Sequence, residues 1–391
     1  MSNHEAPRLT RRGVLLGAGA LVFGGAAGAL GRRVFVPEPE RFPGLIVRGL
    51  APDNLETPRA ALAARITPLE LFFVRTHGHP PHLDPDAYRL TIDGLVDRPL
   101  ACSLADLRAR ASDSRLAVLQ CSGNGRAYFR PRVPGVAWEA GAMGQALWSG
   151  PRLADLLREA GVHADARYLH LHGSDTMALP ATPSYVRTIP LERALADDAL
   201  IALDMNDGPL PWLHGGPARL VLPGWTGHHW VKWLARIHVS VDEEPSFYAK
   251  AAYRMPAEAT APGATPAATV PITENGVKAV IARPLAGTRV PLSQGGIEVT
   301  GVAFSGRTSV AQVEVSGDDG GTWQLATLEG DDTPGAWRVF RATLPIDGPG
   351  PRTIAARATD ARGAVQPDEA LWNPSGYLWN AVDRVTCEVV A

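Results

Sequence analysis

A cysteine at the end of an apolar run is the first residue of this chain whose surroundings could do chemistry. The run leads directly into Cys121, and Gly123 and Gly125 follow it closely, so the backbone there can approach a bound group. Arg126 would stabilise a thiolate. Such a cysteine could be a nucleophile or the ligand of a soft metal. An ordinary buried cysteine before a turn is equally consistent with this segment alone.

A second segment carries Arg75 and His77 directly after an apolar run. Their alternate spacing is that of a strand, so both side chains would point the same way and could meet one anion. His79 and His82 follow closely, and three histidines so near one another also permit a zinc or copper site. Two prolines disturb that spacing and no acidic residue lies nearby, so anion contact is the favoured interpretation.

A third segment places His214, Arg219 and Lys232 among glycine-rich turns. Backbone amides together with fixed cations suit a phosphate group. The Gly-Lys-Ser/Thr ending of nucleotide-binding phosphate loops is absent, so this would be a phosphate site of another kind. Further histidines lie in strand-like surroundings, where a structural role is the commoner one. They are His170, His172, His228 and His229.

The elements that must position these residues are mostly short strands. Residues 88–95 alternate apolar and polar side chains before a turn, which predicts a strand. Residues 153–161 have helical spacing and end at a glycine, and residues 103–110 predict another short helix. Strands mixed with local helices predict an α+β domain over residues 41–255.

A Pro/Ala/Thr-rich stretch at residues 256–271 has no hydrophobic period and predicts a linker or a wrapped connecting arm. Beyond it, residues 297–304, 310–316 and 338–344 predict strands separated by turns. This spacing indicates an immunoglobulin-like sandwich over residues 272–391. The sandwich lacks the paired cysteines of antibody domains.

Composition limits the functions that these residues can serve. A length of 391 residues favours two domains, each able to bury a core. Lysine plus arginine (38) nearly balance aspartate plus glutamate (40), so there is no basic field for nucleic acid. Cys102, Cys121 and Cys387 cannot form a disulfide framework in a chain of this size, and at least one thiol is unpaired or ligating.

The N-terminus predicts export. Arg11 and Arg12 stand directly before an apolar, Gly/Ala-rich run that reaches about Leu30, with small residues at 27–29 as a cleavage candidate. We interpret residues 1–30 as a twin-arginine signal peptide, which predicts a periplasmic protein with no permanent membrane span after cleavage. A transmembrane anchor is the less favoured alternative, because the run is short and only moderately hydrophobic. Twin-arginine export carries folded proteins, which suits a cofactor inserted beforehand.

Taken together, the segments resemble the sulfite oxidase family of molybdopterin enzymes in both residues and order. The family pattern is Phe-Phe-x-Arg-x-His, Cys-x-Gly-Asn-x-Arg, Trp, His-Gly-x-Pro-x-Arg, Val-Lys-Trp-Leu, Asp-Tyr-Lys and Trp-Asn-x-x-Gly. This chain supplies Phe72 to His77, Cys121 to Arg126, Trp138, His214 to Arg219, Val231 to Leu234, Ala252 to Arg254, and Trp372 to Gly376. The resemblance covers nearly the whole chain after the signal.

The resemblance implies a molybdopterin domain followed by an immunoglobulin-like dimerisation domain, and a homodimer. It implies molybdenum bound by Cys121 beside the two sulfurs of one molybdopterin. The residues that would hold the pterin and its phosphate are His77, Asp175, His214, Arg219 and Lys232. The residues that would line the substrate pocket are Arg75, Arg126, Trp138 and Tyr253, where two guanidinium groups suit a small oxyanion.

The implied reaction is oxygen-atom transfer that converts sulfite to sulfate. No Cys-x-x-Cys-His heme motif is visible, so the electrons are expected to pass to a separate c-type cytochrome. Three positions depart from the family pattern: Ser375 stands where sulfite oxidases commonly have arginine, Arg254 replaces a lysine, and Gly125 replaces an arginine. A molybdenum enzyme acting on another small oxyanion or an organic sulfur compound, and a non-catalytic zinc or copper protein, are the alternatives.

Overall fold

Short strands make up most of the part of the chain that the computed structural model describes, residues 42–177 and 182–391. The predicted signal at residues 1–30 lies outside the described residues. Gly44–Ala391 form one compact unit. No described helix is long and apolar enough to cross a membrane.

The strands of the first part are as follows: β1 Ile46–Leu50, β2 Asp53–Glu56, β3 Val74–Arg75, β4 Arg89–Gly94, β5 Leu100–Ser103, β6 Ser112–Gln120, β7 Met143–Pro151, β8 Tyr168–Gly173, β9 Val186–Pro190, β10 Leu200–Ala202, β11 Asp204–Met205, β12 Gly208–Pro209, β13 Arg219–Val221 and β14 Leu234–Ser240. The described helices are α1 Leu104–Arg108, α2 Leu153–Ala160, α3 Leu191–Ala194 and α4 Phe247–Lys250. Short 3-10 turns cover Arg59–Ala63, Leu69–Leu71, Arg126–Tyr128, Trp212–His214, Gly227–His229 and Leu292–Gln294.

Two larger sheets organise this part. One has the order β5-β4-β14-β8-β9, in which β14 runs parallel to β4 and antiparallel to β8. The other has the order β12-β11-β7-β6, and the pairing of β6 with β7 continues to its last residue, where Gln120 lies opposite Met143. The last four residues of β6 are buried, so the strand delivers Cys121 at a fixed position. The strand prediction for residues 88–95 is confirmed by β4.

Both predicted helices are present, and their ends follow from local chemistry. At the start of α1, the Ser103 side chain accepts a hydrogen bond from the backbone of Asp106, whose carboxylate accepts from the Ser103 backbone in return. At the end of α2, Gly161 adopts a φ of 70°, the left-handed conformation that favours glycine. The helices flank the core without entering the site.

The second part of the chain is built from strands that pair mostly antiparallel. They are β15 Arg254–Pro256, β16 Thr269–Pro271, β17 Lys278–Arg283, β18 Arg289–Pro291, β19 Gly296–Phe304, β20 Val310–Ser316, β21 Gln324–Leu325, β22 Thr327–Glu329, β23 Arg338–Pro345, β24 Gly350–Asp360 and β25 Asp383–Val390. Strand β18 runs parallel to β25. The sheets β17-β19-β23-β22 and β18-β25-β24-β20-β21 share one apolar core, to which Ile281 and Phe340 contribute from the first and Val313 and Ile354 from the second. This confirms the predicted immunoglobulin-like sandwich.

The Pro/Ala/Thr-rich stretch between the two parts is mostly exposed, and only its ends are paired. Strands β15 and β16 form an antiparallel ladder in which Arg254 lies opposite Pro271 and Pro256 opposite Thr269. The stretch therefore returns on itself, in keeping with a connecting arm. The domain boundaries at 255 and 272 stay a prediction.

A separate apolar cluster joins the first part to the sandwich. It combines Met143 of β7 with Phe304 of β19 and with Trp337. The side chain of Gln145 accepts a hydrogen bond from the Trp337 backbone nitrogen at 2.6 Å and donates to its carbonyl at 3.3 Å. A strand of the first part is thus fixed against the sandwich by burial and by paired polar groups.

A buried ion pair supports the same junction and can be tested. Arg59 donates two hydrogen bonds to Asp383, at 2.7 and 3.3 Å, and Asp383 is only 3% exposed. Removing one partner of a buried pair leaves the other charge uncompensated. We expect Asp383→Asn to lower the free energy of unfolding by about 3 kcal/mol, measured by urea denaturation.

Two comparisons control this prediction. The double variant Arg59→Met with Asp383→Asn should recover most of the loss, because Arg59 is then not left as an unpaired charge. Glu329→Gln, which breaks the exposed pair with Arg341, should cost much less. A loss in Asp383→Asn no greater than in Glu329→Gln would contradict the prediction.

Candidate active site

A cavity with about 700 Å³ of open space lies where β3, the end of β6 and the turns around β13 meet. Eight of the ten predicted site residues line it: Arg75, His77, Cys121, Asp175, His214, Arg219, Lys232 and Tyr253. These residues come from distant parts of the sequence. Their assignments to cofactor or substrate stay predictions.

Cys121 is half-buried and faces the cavity. Its backbone nitrogen donates to the carbonyl of Ala142 at 2.9 Å. Asn124 holds the following loop, because its side chain accepts from the Ala142 nitrogen and donates to Gln120, both at 3.0 Å. Gly125 has a φ of 89°, and a side chain there would collide with Trp379. All three cysteines are free thiols, so Cys121 can act as a ligand.

One wall of the cavity holds two cations, of which Arg219 is buried and Lys232 half-buried. Arg219 is 2% exposed and donates to the carbonyls of His214 and Trp230 at 2.7 and 2.9 Å. Its Nε has no partner among the described residues, and burial lowers its pKa to about 9. Lys232 donates to the Leu213 carbonyl at 3.0 Å, and burial, followed by the charge of Arg219, lowers its pKa well below the usual value.

This wall fits a phosphate-bearing cofactor. Asp175 is the one acidic side chain among the described residues that line the cavity, and burial raises its pKa. Buried positive charges without carboxylate partners are costly unless an anion meets them. A phosphate supplies that anion, and a thiolate at Cys121 suits a metal that tolerates soft ligands. The residues present therefore fit both the phosphate and the metal of the predicted cofactor.

The opposite wall is aromatic. The hydroxyl of Tyr253 and Nε2 of His77 lie 2.5 Å apart. Burial raises the pKa of Tyr253 and lowers that of His77, where the charge of Arg75 adds to the effect. Both shifts favour the neutral form of the group, so the two side chains meet as an uncharged pair. The ring of Tyr253 stacks on His228, with centroids 4.1 Å apart, and His228 shares a 2.8 Å hydrogen bond with Ser122, next to the cysteine.

Arg126 and Trp138 are not among the residues that line the cavity. Arg126 donates to the carbonyls of Ser375 and Val136 at 3.0 and 3.1 Å, and its guanidinium lies 5.4 Å from the Tyr377 ring. Trp138 is fully buried in the apolar core of the first part. Arg126 thus lies behind Tyr377, which stacks on Tyr253, and supports the aromatic wall in this structure.

Tyr185, Arg187 and Tyr377 also belong to the site or contact it, and their roles were not predicted from the sequence. The Tyr185 hydroxyl donates to the His228 carbonyl at 2.7 Å, and its ring stacks on His77. Arg187 is 3% exposed and lies against the Tyr253 ring. A signal for it was present, because an arginine within an apolar strand is unusual unless it is paired or functional.

The alternative of a histidine-coordinated metal finds no support in the geometry. His77 pairs with Tyr253, whereas the ring of His82 stacks on Trp212 at 5.2 Å. His170 is bound to the carbonyl of Asp242, outside the cavity. Among residues 42–177 and 182–391, no group of three or more His, Cys, Asp or Glu side chains is arranged to hold a metal ion.

Comparisons with known proteins agree with this site. Residues 77–248 match the family model of the oxidoreductase molybdopterin binding domain, and residues 269–390 match the Mo-co oxidoreductase dimerisation domain. Sulfite oxidase of Gallus gallus is 38% identical over 368 residues, covering 90% of this chain and 79% of that protein. Sulfite oxidase of Arabidopsis thaliana is 31% identical over 386 residues, covering 92% of this chain and 97% of that protein.

The chain belongs to the sulfite oxidase family. It is a molybdopterin-dependent oxidoreductase. Its cofactor-binding domain precedes a dimerisation domain, as predicted from the sequence. A solved structure, the sulfane dehydrogenase SoxCD of Paracoccus pantotrophus, matches with a TM-score of 0.75 at 28% identity, covering 93% of this chain and 92% of that chain.

The buried histidine of the cationic wall gives a prediction of pH dependence. Burial, and then the charges of Lys232 and Arg219, lower the pKa of His214 from 6.5 to about 3. The unfolded chain therefore binds a proton near pH 6.5 that the folded chain does not bind, so stability falls as the pH drops below that value. We expect His214 to contribute a loss of about 1.4 kcal/mol per pH unit between pH 6 and 4.

Urea midpoints at pH 7 and pH 5 measure this loss. His214→Gln should lose less stability than the unchanged chain over the same interval. His163→Gln, at a side chain that is 43% exposed, is the matched control. Equal losses in the unchanged chain and in His214→Gln would show that His214 is not the group responsible.

Proposed function

We propose that this protein oxidises sulfite to sulfate with a molybdenum cofactor. The observation that carries the proposal is the cavity itself, which is lined by the Cys121 thiol, by the cationic wall, by the aromatic wall with Tyr253, and by Arg75. The similarity to sulfite oxidases over nine-tenths of the chain supports the same substrate.

Each wall has its own task in this proposal. Cys121 holds the metal, and Arg219, Lys232 and His214 hold the phosphate end of the pterin. When bound, the cofactor supplies the oxygen-atom transfer and the two-electron redox chemistry. Arg75, on the cavity side of β3, attracts the oxyanion and compensates its charge.

The Tyr253–His77 pair can hold or release a proton next to the oxyanion, because the phenol and the imidazole share a hydrogen bond and both line the cavity. Sulfite gains one oxygen atom that derives from water, and two protons and two electrons are released. The electrons pass singly to a separate acceptor, for which a c-type cytochrome is suitable. The dimerisation domain supports a homodimer as the working form.

Metal analysis of the purified protein tests this function directly. We expect about one molybdenum and one pterin per chain, and reduction of cytochrome c that depends on sulfite. Cys121→Ser should lose metal and activity by at least a hundredfold, since thiolate ligation is removed. Cys387→Ser, at a buried free thiol of the sandwich, is the matched control and should keep both. Zinc or copper as the bound metal, or full activity in Cys121→Ser, would contradict the proposal.

A second candidate substrate is a reduced sulfur group. The similarity to the sulfane dehydrogenase SoxCD over 93% of the chain favours it, as does Ser375 at a position where the family pattern has arginine. Parallel assays with sulfite and with thiosulfate, which carries a sulfane sulfur, distinguish the two. A higher kcat/KM for thiosulfate would replace sulfite as the proposed substrate and leave the cofactor assignment intact.

We also propose a periplasmic location reached by twin-arginine export. The support is the sequence Arg11-Arg12 before an apolar run, in a protein that must receive its cofactor while folding. We expect Arg11→Lys with Arg12→Lys to retain the protein in the cytoplasm with its activity intact, measured by cell fractionation. Arg8→Lys, at an arginine that precedes the pair, is the matched control and should leave export unchanged. Normal export of the double variant would contradict this route.

A further inference from the structure

Arg187 is a buried cation that the function described above does not use. It lies in β9 opposite Leu171 of β8, and its side chain is 3% exposed. Its Nε and Nη1 atoms have no hydrogen-bond partner among the described residues. Such a group is costly to bury, because a guanidinium stays charged at neutral pH and has lost its hydration.

The groups around Arg187 compensate its charge only in part, through the face of the Tyr253 ring. The side chains that act on it electrostatically are the phenols of Tyr185, Tyr253 and Tyr377, and burial keeps these neutral by raising their pKa values. Among the described residues, no carboxylate forms an ion pair with it. Arg193 shows the contrast, because this equally buried arginine pairs with Asp198 at 2.7 Å.

The guanidinium of Arg187 lies close to a residue of the cavity lining. Its central carbon lies 5.3 Å from the centroid of the Tyr253 ring, and Tyr253 lines the cavity together with His77 and His228. The charge of Arg187 lowers the pKa of both histidines, and the charge of Arg75 acts on Tyr253 as well. Two guanidinium groups therefore act on one aromatic wall.

We propose that Arg187 supplies the second fixed positive charge of a site for a small divalent oxyanion, with Arg75 as the first. Position 375, where the family pattern has arginine, carries the neutral Ser375 in this chain. The inference rests on the proposed function for the identity of the oxyanion. Arg187 is not among the residues that line the cavity, so it is a positioning residue whose charge acts through Tyr253 and His77.

Two properties distinguish this role from a merely structural one. A charge that stabilises the fold lowers stability when it is removed, whereas an uncompensated charge retained for an anion destabilises the anion-free protein. Arg187→Met should therefore unfold at the same or a higher temperature than the unchanged holoenzyme in chloride. Its stabilisation by sulfate, the stable product dianion, should in turn be much weaker.

The experiment measures thermal midpoints of the holoenzyme in sodium sulfate and in sodium chloride of matched ionic strength, with steady-state sulfite oxidation beside them. We expect Arg187→Met and Arg187→Gln to raise the KM for sulfite and the inhibition constant of sulfate by roughly tenfold, with a smaller change in kcat. Arg187→Lys should keep most of the affinity because it keeps the charge. Arg338→Gln, at an arginine of β23 in the sandwich, is the control.

A second variant tests whether an arginine at position 375 can serve the same oxyanion site. In the Arg187→Gln background, Ser375→Arg should recover part of the lost sulfate affinity, since the Ser375 segment contacts Arg126 beside Tyr377. A sulfate response that is unchanged in Arg187→Met, or a lower thermal midpoint of that variant in chloride, overturns the proposal. Because sulfate binding needs no turnover, absence of sulfite oxidation with an intact Arg187-dependent sulfate response would contradict the proposed substrate alone.

Discussion

Positive charge buried around a single cavity is the constraint on which the rest of this structure depends. Arg219 and Arg187 are almost fully removed from water and Lys232 is half-buried, and the described lining of the cavity offers them one carboxylate, Asp175. Surface ion pairs contribute little, but uncompensated charges in the interior are expensive. The fold must supply the free energy to bury them, and anionic groups must meet them when the enzyme is complete.

The second part of the chain contributes to this support. Lys278 of the sandwich is 1% exposed and donates to Gln120, the residue before the cysteine, at 3.2 Å. Burial lowers the pKa of Lys278 to about 7. Gln120 in turn donates to Asn275 at 3.0 Å, and Trp379 fills the space that a side chain at Gly125 would need. The cysteine loop is therefore held from two sides. The sandwich, which is also the dimerisation domain, helps to keep the site rigid.

A site residue could be predicted from the sequence only where its local sequence segment indicates its role. Cys121, Arg75 and His214 stand in segments whose order along the chain matches a family pattern, and the cavity brings them together. The two sheets of the sandwich followed from alternation and turns. Tyr377 was missed because its importance arises only from contacts across the fold, and Arg187 because an arginine in an apolar strand does not reveal what it contacts. Trp138 shows the converse, since a matching position in sequence did not put its side chain in the cavity lining.

Positions 375 and 187 differ in how firmly the backbone holds a side chain. Ser375 belongs to an irregular segment between β24 and β25, whereas Arg187 is paired on β9 and its guanidinium is packed against Tyr253. Side chains on strands are held more precisely than those on loops. The charge of Arg187 is therefore fixed beside Tyr253, which shares a hydrogen bond with His77. A charge held in this way by strand pairing does not depend on the conformation of the segment that carries Ser375.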